Sequence, residues 1–193
     1  MTTRLSVVCA GATAMSRIGG FAAPSEPLDA AGAAAAARMR WPRTAASVVM
    51  AGPGEAARQT ARAIGGDPHV VPALADMDWG AWSGATFATV QAVAPERLMA
   101  WMGAPAGGAP GGEDFAAVVA RVVPWLDAIA HGERAVIAVT QAMVVRAILT
   151  AAIALPPEVA LRIDIAPLAT ASLSFHRGWR WQELRRGGGS GDR

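Results

Sequence analysis

Three short apolar runs, each stopping at a turn or polar residue and handing over to a helix-compatible stretch, constrain this chain most. Leu5–Cys9 is halted by Gly11. Ser47–Met50 leads into Gly52-Pro53-Gly54 and a helical pattern from about Glu55 to Ile64. Ala135–Thr140 runs almost directly into a helical pattern over Met143–Ala154. Runs of this length without polar alternation suit strands buried on both faces, as parallel strands are. Parallel neighbours need long crossovers, and the intervening helices supply them. The expected fold is therefore α/β, a three-layer α/β/α sandwich with a mostly parallel central sheet. In such sheets ligands gather beyond the carboxyl ends of the strands. Here that places them near Cys9–Ser16, Gly52–Glu55 and Thr140–Met143.

The remaining segments fit one domain. Asp29 can cap an Ala-rich helix over Ala30–Met39. Pro68–Leu74 reads as extended, and Met77–Gly84, with Trp79 and Trp82 among glycines, as a packed loop. Thr86–Met102 carries two helical patterns broken at Pro95, and Gly103–Gly112 is a flexible Gly/Pro/Ala loop. Phe115, Val118, Val122, Trp125 and Ile129 recur at helical spacing within Glu113–Ala130, where Pro124 is a candidate kink. Ser172–His176 and Trp179–Leu184 form a terminal hairpin around Arg177-Gly178. The expected organisation is a single domain over 1–186, with a lid-like insertion at about 77–112, and a flexible tail over 187–193.

Charge and cysteine usage narrow the partners. All 17 basic residues are arginine, the formal net charge is +2, and the arginines are scattered except for Arg185 and Arg186. That is not the contiguous basic face of a nucleic-acid binder. No apolar run reaches membrane-span length, so no membrane partner is expected. The lone Cys9 and the three histidines, His69, His131 and His176, lack metal-ligand spacing, so neither metal nor cofactor is expected. Met1–Ala14 supports two readings, a short signal peptide or a buried first strand. The strand reading goes with a cytoplasmic protein. Trp179 and Trp181 on the last hairpin suit packing at a sheet edge or a homodimer contact.

The three strand ends also carry a family pattern. Cys9-Ala10-Gly11-Ala12-Thr13 stands where a histidine phosphatase has Arg-His-Gly-x-Thr, and Pro27-Leu28-Asp29-Ala30-Ala31-Gly32 matches Pro-Leu-x-x-x-Gly. Gly52-Pro53-Gly54-Glu55-Ala56-Ala57-Arg58-Gln59-Thr60-Ala61 is similar to Ser-Pro-Leu-x-Arg-Ala-x-Gln-Thr-Ala. Leu74–Gly84 resembles Leu-x-Glu-x-x-x-Gly-x-Trp-x-Gly, Gly111-Gly112-Glu113-Asp114 resembles Gly-Gly-Glu-Ser, and Val139–Arg146 resembles Val-Thr-His-Gly-x-x-x-Arg. Each is weak alone. Their shared order, each on the right kind of element, makes the chain resemble the histidine phosphatase (phosphoglycerate mutase-like) superfamily.

That resemblance implies a chemistry that this sequence does not supply. In the family an imidazole attacks phosphorus, arginines and a second histidine hold the phosphate oxygens, and a carboxylic acid protonates the leaving oxygen. The nucleophile position here is Ala10, the arginine beside it Cys9, the second arginine Ala56 and the second histidine Gln141. Asp76 keeps the acid position in shortened form. The expectation is a catalytically degenerate member, a pseudoenzyme that binds an unidentified small molecule or a protein partner, with Cys9, Thr13, Ser16, Arg17, Asp76, Glu113, Gln141 and Met143 as candidate ligand contacts. Three alternatives stay open: a repurposed enzyme with non-phosphoryl chemistry in the same cleft, residual phosphomonoesterase activity, and Cys9 as a reactive thiol rather than a small core residue.

Overall fold

The computed structural model describes residues 2–39, 47–103, 107–132 and 134–187. Chain order is β1 (Thr3–Cys9), α1 (Ala14–Ile18), α2 (Ala30–Arg38), β2 (Val48–Ala51), α3 (Glu55–Gly65) and β3 (His69–Val70). Then follow α4 (Phe87–Val93), α5 (Pro95–Gly103), α6 (Phe115–Ala130), β4 (Ala135–Thr140), α7 (Ala142–Ile153), β5 (Thr170–Phe175) and β6 (Trp179–Arg185). The strands form one sheet in the order β3-β2-β4-β1-β5-β6, with β3, β2, β4 and β1 mutually parallel. Strand β5 runs antiparallel to both its neighbours, which makes the expected terminal hairpin.

Alternation along β1 explains the layers. Leu5, Val7 and Cys9 face one side and join the cluster built on α6 and α7. Val8 and Ala10 face the other side and pack with Ala56, Ala57, Ala61 and Ile64 of α3. Helices α2 and α3 pack together on that second side. The three-layer sandwich expected from the sequence is thus the observed fold. Thr3–Cys9, within the Met1–Ala14 segment that supports two readings, is one of the two central strands, bonded to β4 on one edge and β5 on the other.

Local deviations have local causes. Pro124 lies inside α6 without ending it. Pro95, which separates the two helical patterns, is the first residue of α5, where its missing N–H costs nothing. The extended stretch expected at Pro68–Leu74 is strand only at His69–Val70 and closes as a 3-10 turn over Pro72–Leu74. Short α1, bracketed by a reciprocal Thr13–Ser16 capping box, carries too few apolar repeats to be read from sequence. The tail expected over 187–193 lies, Gly187 apart, outside the described residues, as do positions 104–106 of the expected Gly103–Gly112 loop. Among the described residues no helix is long and apolar enough to cross a membrane.

Close approach of α2 to the chain after β1 shapes the region beyond the strands. The Asp29 carboxylate accepts from Gly32 N at 2.6 Å, and Asp29 N donates to Ala12 O at 3.0 Å. A methyl group at Gly32 would lie 2.2 Å from Ala12 O, against backbone that cannot swing away. Gly32→Ala should therefore destabilise the protein by about 1–3 kcal/mol, measured as a lower urea midpoint with unchanged slope. An unchanged midpoint would show that α2 shifts freely.

Candidate functional site

Register sets the site. Cys9 pairs with Thr140, and Ala51 with Val139, so β1, β2 and β4 end almost level. Beyond those ends lies a cleft of about 490 Å³. Its floor holds Cys9, Ala10 and Gly11 after β1, Pro53 and Gly54 before α3, Ala56 in the first turn of α3, and Gln141 with Met143 at the start of α7. One wall is Ala75–Trp79, and another comes from Ile165 and Pro167. Two buried hydroxyls hold the floor together. Thr60 Oγ1 accepts from Gly11 N at 2.9 Å and donates to Ala56 O at 2.7 Å, while Thr140 Oγ1 donates to Leu74 O at 2.7 Å.

Six of the eight expected ligand contacts line this cleft: Cys9, Thr13, Ser16, Asp76, Gln141 and Met143. Arg17 and Glu113 do not. Arg17 points from the exposed face of α1 to the Asp29 carboxylate, and that hydrogen-bonded ion pair holds Asp29 below its usual range. Glu113 is committed to Arg121, which it meets at 2.9 and 3.1 Å, and its other contact is Asp78 N at 3.0 Å. The cleft instead gains Glu26, Asp78 and Trp79. Glu26 reaches it because its carboxylate accepts from Met15 N, 2.7 Å away on α1.

The Arg121–Glu113 pair is the main positioning device that sequence reading missed. Arg121 sits on α6 and donates to three carbonyls of the cleft wall: Ala73 at 2.6 Å, Ala75 at 2.8 Å and Asp76 at 2.9 Å. Glu113 neutralises it and ties in Asp78. The segment carrying Asp76 is thus pinned through its backbone by a paired, mostly buried charge. A signal did exist. Arg121 lies three residues after Val118 and four before Trp125, on the helix's buried stripe, where an arginine needs an internal partner.

The polar groups left in the cleft have distinct states. Asp76 Oδ1 accepts from Met77 N at 2.8 Å and Oδ2 from Trp79 Nε1 at 3.3 Å. Burial still dominates over those bonds and pushes the carboxyl up to about 6. Burial also pushes the Cys9 thiol up to about 12, reinforced by the neighbouring Asp76 charge and only partly opposed by Arg146. At pH 8 about one Cys9 thiol in ten thousand would be ionised. That is core-residue behaviour. Arg146, the arginine of the last motif, lies beneath the floor, donating to Ile163 O at 2.9 Å and resting 3.7 Å from Met143 Sδ. It supports the Ile165–Pro167 wall and is not part of the cleft lining.

Gly54 and Gln141 fit each other. A Cβ on Gly54, where the family motif carries leucine, would sit 3.0 Å from Gln141 Nε2. The small residue before α3 leaves room for the long amide after β4. Around the rim, Trp79, Trp82 and Trp101 pack on Phe21 with centroids 4.9, 5.0 and 5.6 Å away. Trp79 belongs to both that aromatic cluster and the cleft wall. The tryptophans serve as packing that also shapes a rim, rather than as a plug.

Two expectations follow. The folded Asp76 carboxyl lies above its ordinary 3.8, so folding favours the protonated acid. The associated stability is fully present below about pH 4 and lost as pH rises through about 6. Asp76→Asn cannot ionise, so it should gain about 1–3 kcal/mol relative to the parent between pH 4 and pH 7 in urea unfolding. A pH-independent difference would mean Asp76 is well solvated. For Cys9, alkylation by iodoacetamide at pH 8 should be at least about 100-fold slower in the native protein than in denaturant. Comparable rates would show an accessible thiolate.

Comparison with known proteins agrees with this geometry. The model of the histidine phosphatase superfamily (branch 1) matches residues 7–186. No curated protein matches the sequence. Among solved structures, mycobacterial glucosyl-3-phosphoglycerate phosphatase in complex with VO3 is similar at TM-score 0.80 and 22% identity, over 93% of this chain and 96% of that one. The alpha-ribazole phosphatase of Shigella flexneri is similar at 0.82 and 20%, over 94% and 95%. A protein described as mycobacterial hydrolase 1 is similar at 0.83 and 20%, over 98% and 100%. At such identities the structures establish the fold. With the family match spanning nearly its whole length, the chain belongs to the histidine phosphatase superfamily, branch 1.

Proposed function

We propose that this protein binds a small molecule in the cleft beyond β1, β2 and β4 without phosphohistidine chemistry, as a catalytically degenerate member of its superfamily. The observation that carries this reading is the floor itself. Cys9, Ala10, Ala56 and Gln141 occupy the positions where the family pattern calls for arginine, histidine, arginine and histidine, and no arginine or lysine is among the described residues lining the cleft. A methyl group cannot attack phosphorus. Removing a single preorganised donor costs on the order of 3 kcal/mol of transition-state stabilisation. Removing the nucleophile leaves only positioning and solvent attack.

Ground-state binding of a phosphate ester is disfavoured as well. Among the described residues, the charged members of the lining are Glu26, Asp76 and Asp78, all carboxylates. The amino ends of α3 and α7 reach the floor without side-chain caps. Each offers roughly half a positive charge, too little to offset a dianion facing three carboxylates. The 490 Å³ volume and the apolar Met77, Trp79, Met143 and Ile165 suit a small organic ligand. An open cleft favours that occupant over a protein partner.

One observation favours a second reading, a repurposed enzyme. Asp76, held near 6 and pinned by Arg121, has the protonation range of a general acid at neutral pH. The absence of phosphoryl turnover is tested in one assay. Phosphomonoesters varied in leaving group should release no inorganic phosphate above background, and Asp76→Asn and Gln141→Ala should not change that. Turnover that either variant abolishes would overturn the non-catalytic reading.

A further inference from the structure

We infer that the cleft selects a ligand carrying an organic cation on an apolar body, such as a protonated amine, in place of the phosphate ester that its superfamily pattern would hold. This rests on the proposed binding function and names its ligand class. Three independent features of the cavity agree on the sign of the charge. First, Glu26 and the Asp76–Asp78 segment come from two separate stretches of chain onto one lining that holds no arginine or lysine among the described residues. Second, three arginines on the elements around the site are already engaged elsewhere. Arg121 is held by Glu113, Arg17 by Asp29, and Arg146 by the Ile163 carbonyl. None is free to turn inward and neutralise the carboxylates. Third, Gln141, on the floor, has a buried amide oxygen that accepts no hydrogen bond among the described residues. A buried acceptor without a donor is costly, and turning the amide to present its oxygen to the cleft would let a ligand N–H relieve it.

The walls provide the apolar half. Trp79 is fixed by its bond to Asp76 and by packing on Phe21, so its indole surface is preorganised beside a carboxylate. A cation beside an aromatic ring and a carboxylate in a partly desolvated cleft gains from both. Glu26 and Asp78 hold their loops through one carboxylate oxygen each, Glu26 Oε1 on Met15 N and Asp78 Oδ1 on Gly80 N. Their amide counterparts keep those bonds, so the negative charge can be removed without dismantling the wall.

The test uses the full chain and three probes with one apolar body: 2-phenylethylamine, 2-phenylethanol and phenyl phosphate. Calorimetry at pH 7.5 should show the amine binding about tenfold tighter than the alcohol, with phenyl phosphate weakest. The double substitution Glu26→Gln, Asp78→Asn should cut the amine's advantage by about threefold or more while the alcohol's affinity stays within about twofold. Thermal unfolding of the variant, compared with the parent, checks that it folds. The inference fails if the alcohol or phenyl phosphate binds as tightly as the amine, if the double substitution leaves the amine's advantage intact, or if no probe binds up to about 10 mM. Release of inorganic phosphate from phenyl phosphate in the same samples would overturn the underlying non-catalytic reading, and this inference with it.

Discussion

Strand β1 is hydrogen-bonded along both edges and buried on both faces, and the rest of the molecule follows from that. Leu5 and Val7 demand cover on one side and Val8 on the other, so a helical layer is needed on each. Parallel pairing with β4 then brings the two strand ends level and sends α7 directly out of the second. The cleft exists because backbone leaving β1, β2 and β4 must turn away from a common line. Small residues at those turns, Gly11, Gly52 and Gly54, let neighbouring segments approach closely enough to give it walls.

At the floor of the cleft, packing goes together with the proposed loss of phosphohistidine chemistry. Catalytic residues usually violate local rules, placing charge and strain where a core would be more stable. Here Cys9 joins the α6–α7 cluster, while Ala10 and Ala56 join the α3 cluster. Three of the four floor positions where the family pattern calls for arginine or histidine thus pack into the two cores. The wall behind Asp76 has not been dissolved in the same way. Arg121 and Glu113 still hold it through three carbonyls and a backbone N–H. That paired, partly buried charge holds the segment carrying the Asp76 carboxyl in place.

Of the two non-glycine residues with positive φ among the described residues, Ala154 closes α7 and Leu168 lies beside the cleft. Leu168, which follows the Ile165–Pro167 wall, adopts φ 62°, a left-handed conformation rare for a branched side chain. Its N–H donates to Cys9 O at 3.1 Å, and the following Ala169 O accepts from Cys9 N at 2.8 Å. The end of β1 is therefore locked to the wall opposite Asp76 by backbone bonds that no side-chain substitution removes. Arg146, donating to Ile163 O, braces that wall from beneath.

The sequence by itself determined the layers, the strand ends and the identity of the floor. Apolar runs, glycine stops and motif order report how a segment pairs and turns, and these are properties of near neighbours. Leu5–Cys9, Glu55–Ile64 and Ala135–Thr140 were legible for that reason, as were Ala10, Ala56 and Gln141. Tertiary structure decided which charges face the cleft. Arg17 and Glu113 lie in motifs beside it, yet each is drawn off by a partner, Asp29 and Arg121. Glu26, from a loop with no periodic signal, is drawn in by Met15 N. Arg121 reaches carbonyls 45 to 48 residues away in the chain. A charged side chain goes where its counter-charge and donors lie in space, and only the folded chain puts those partners within reach.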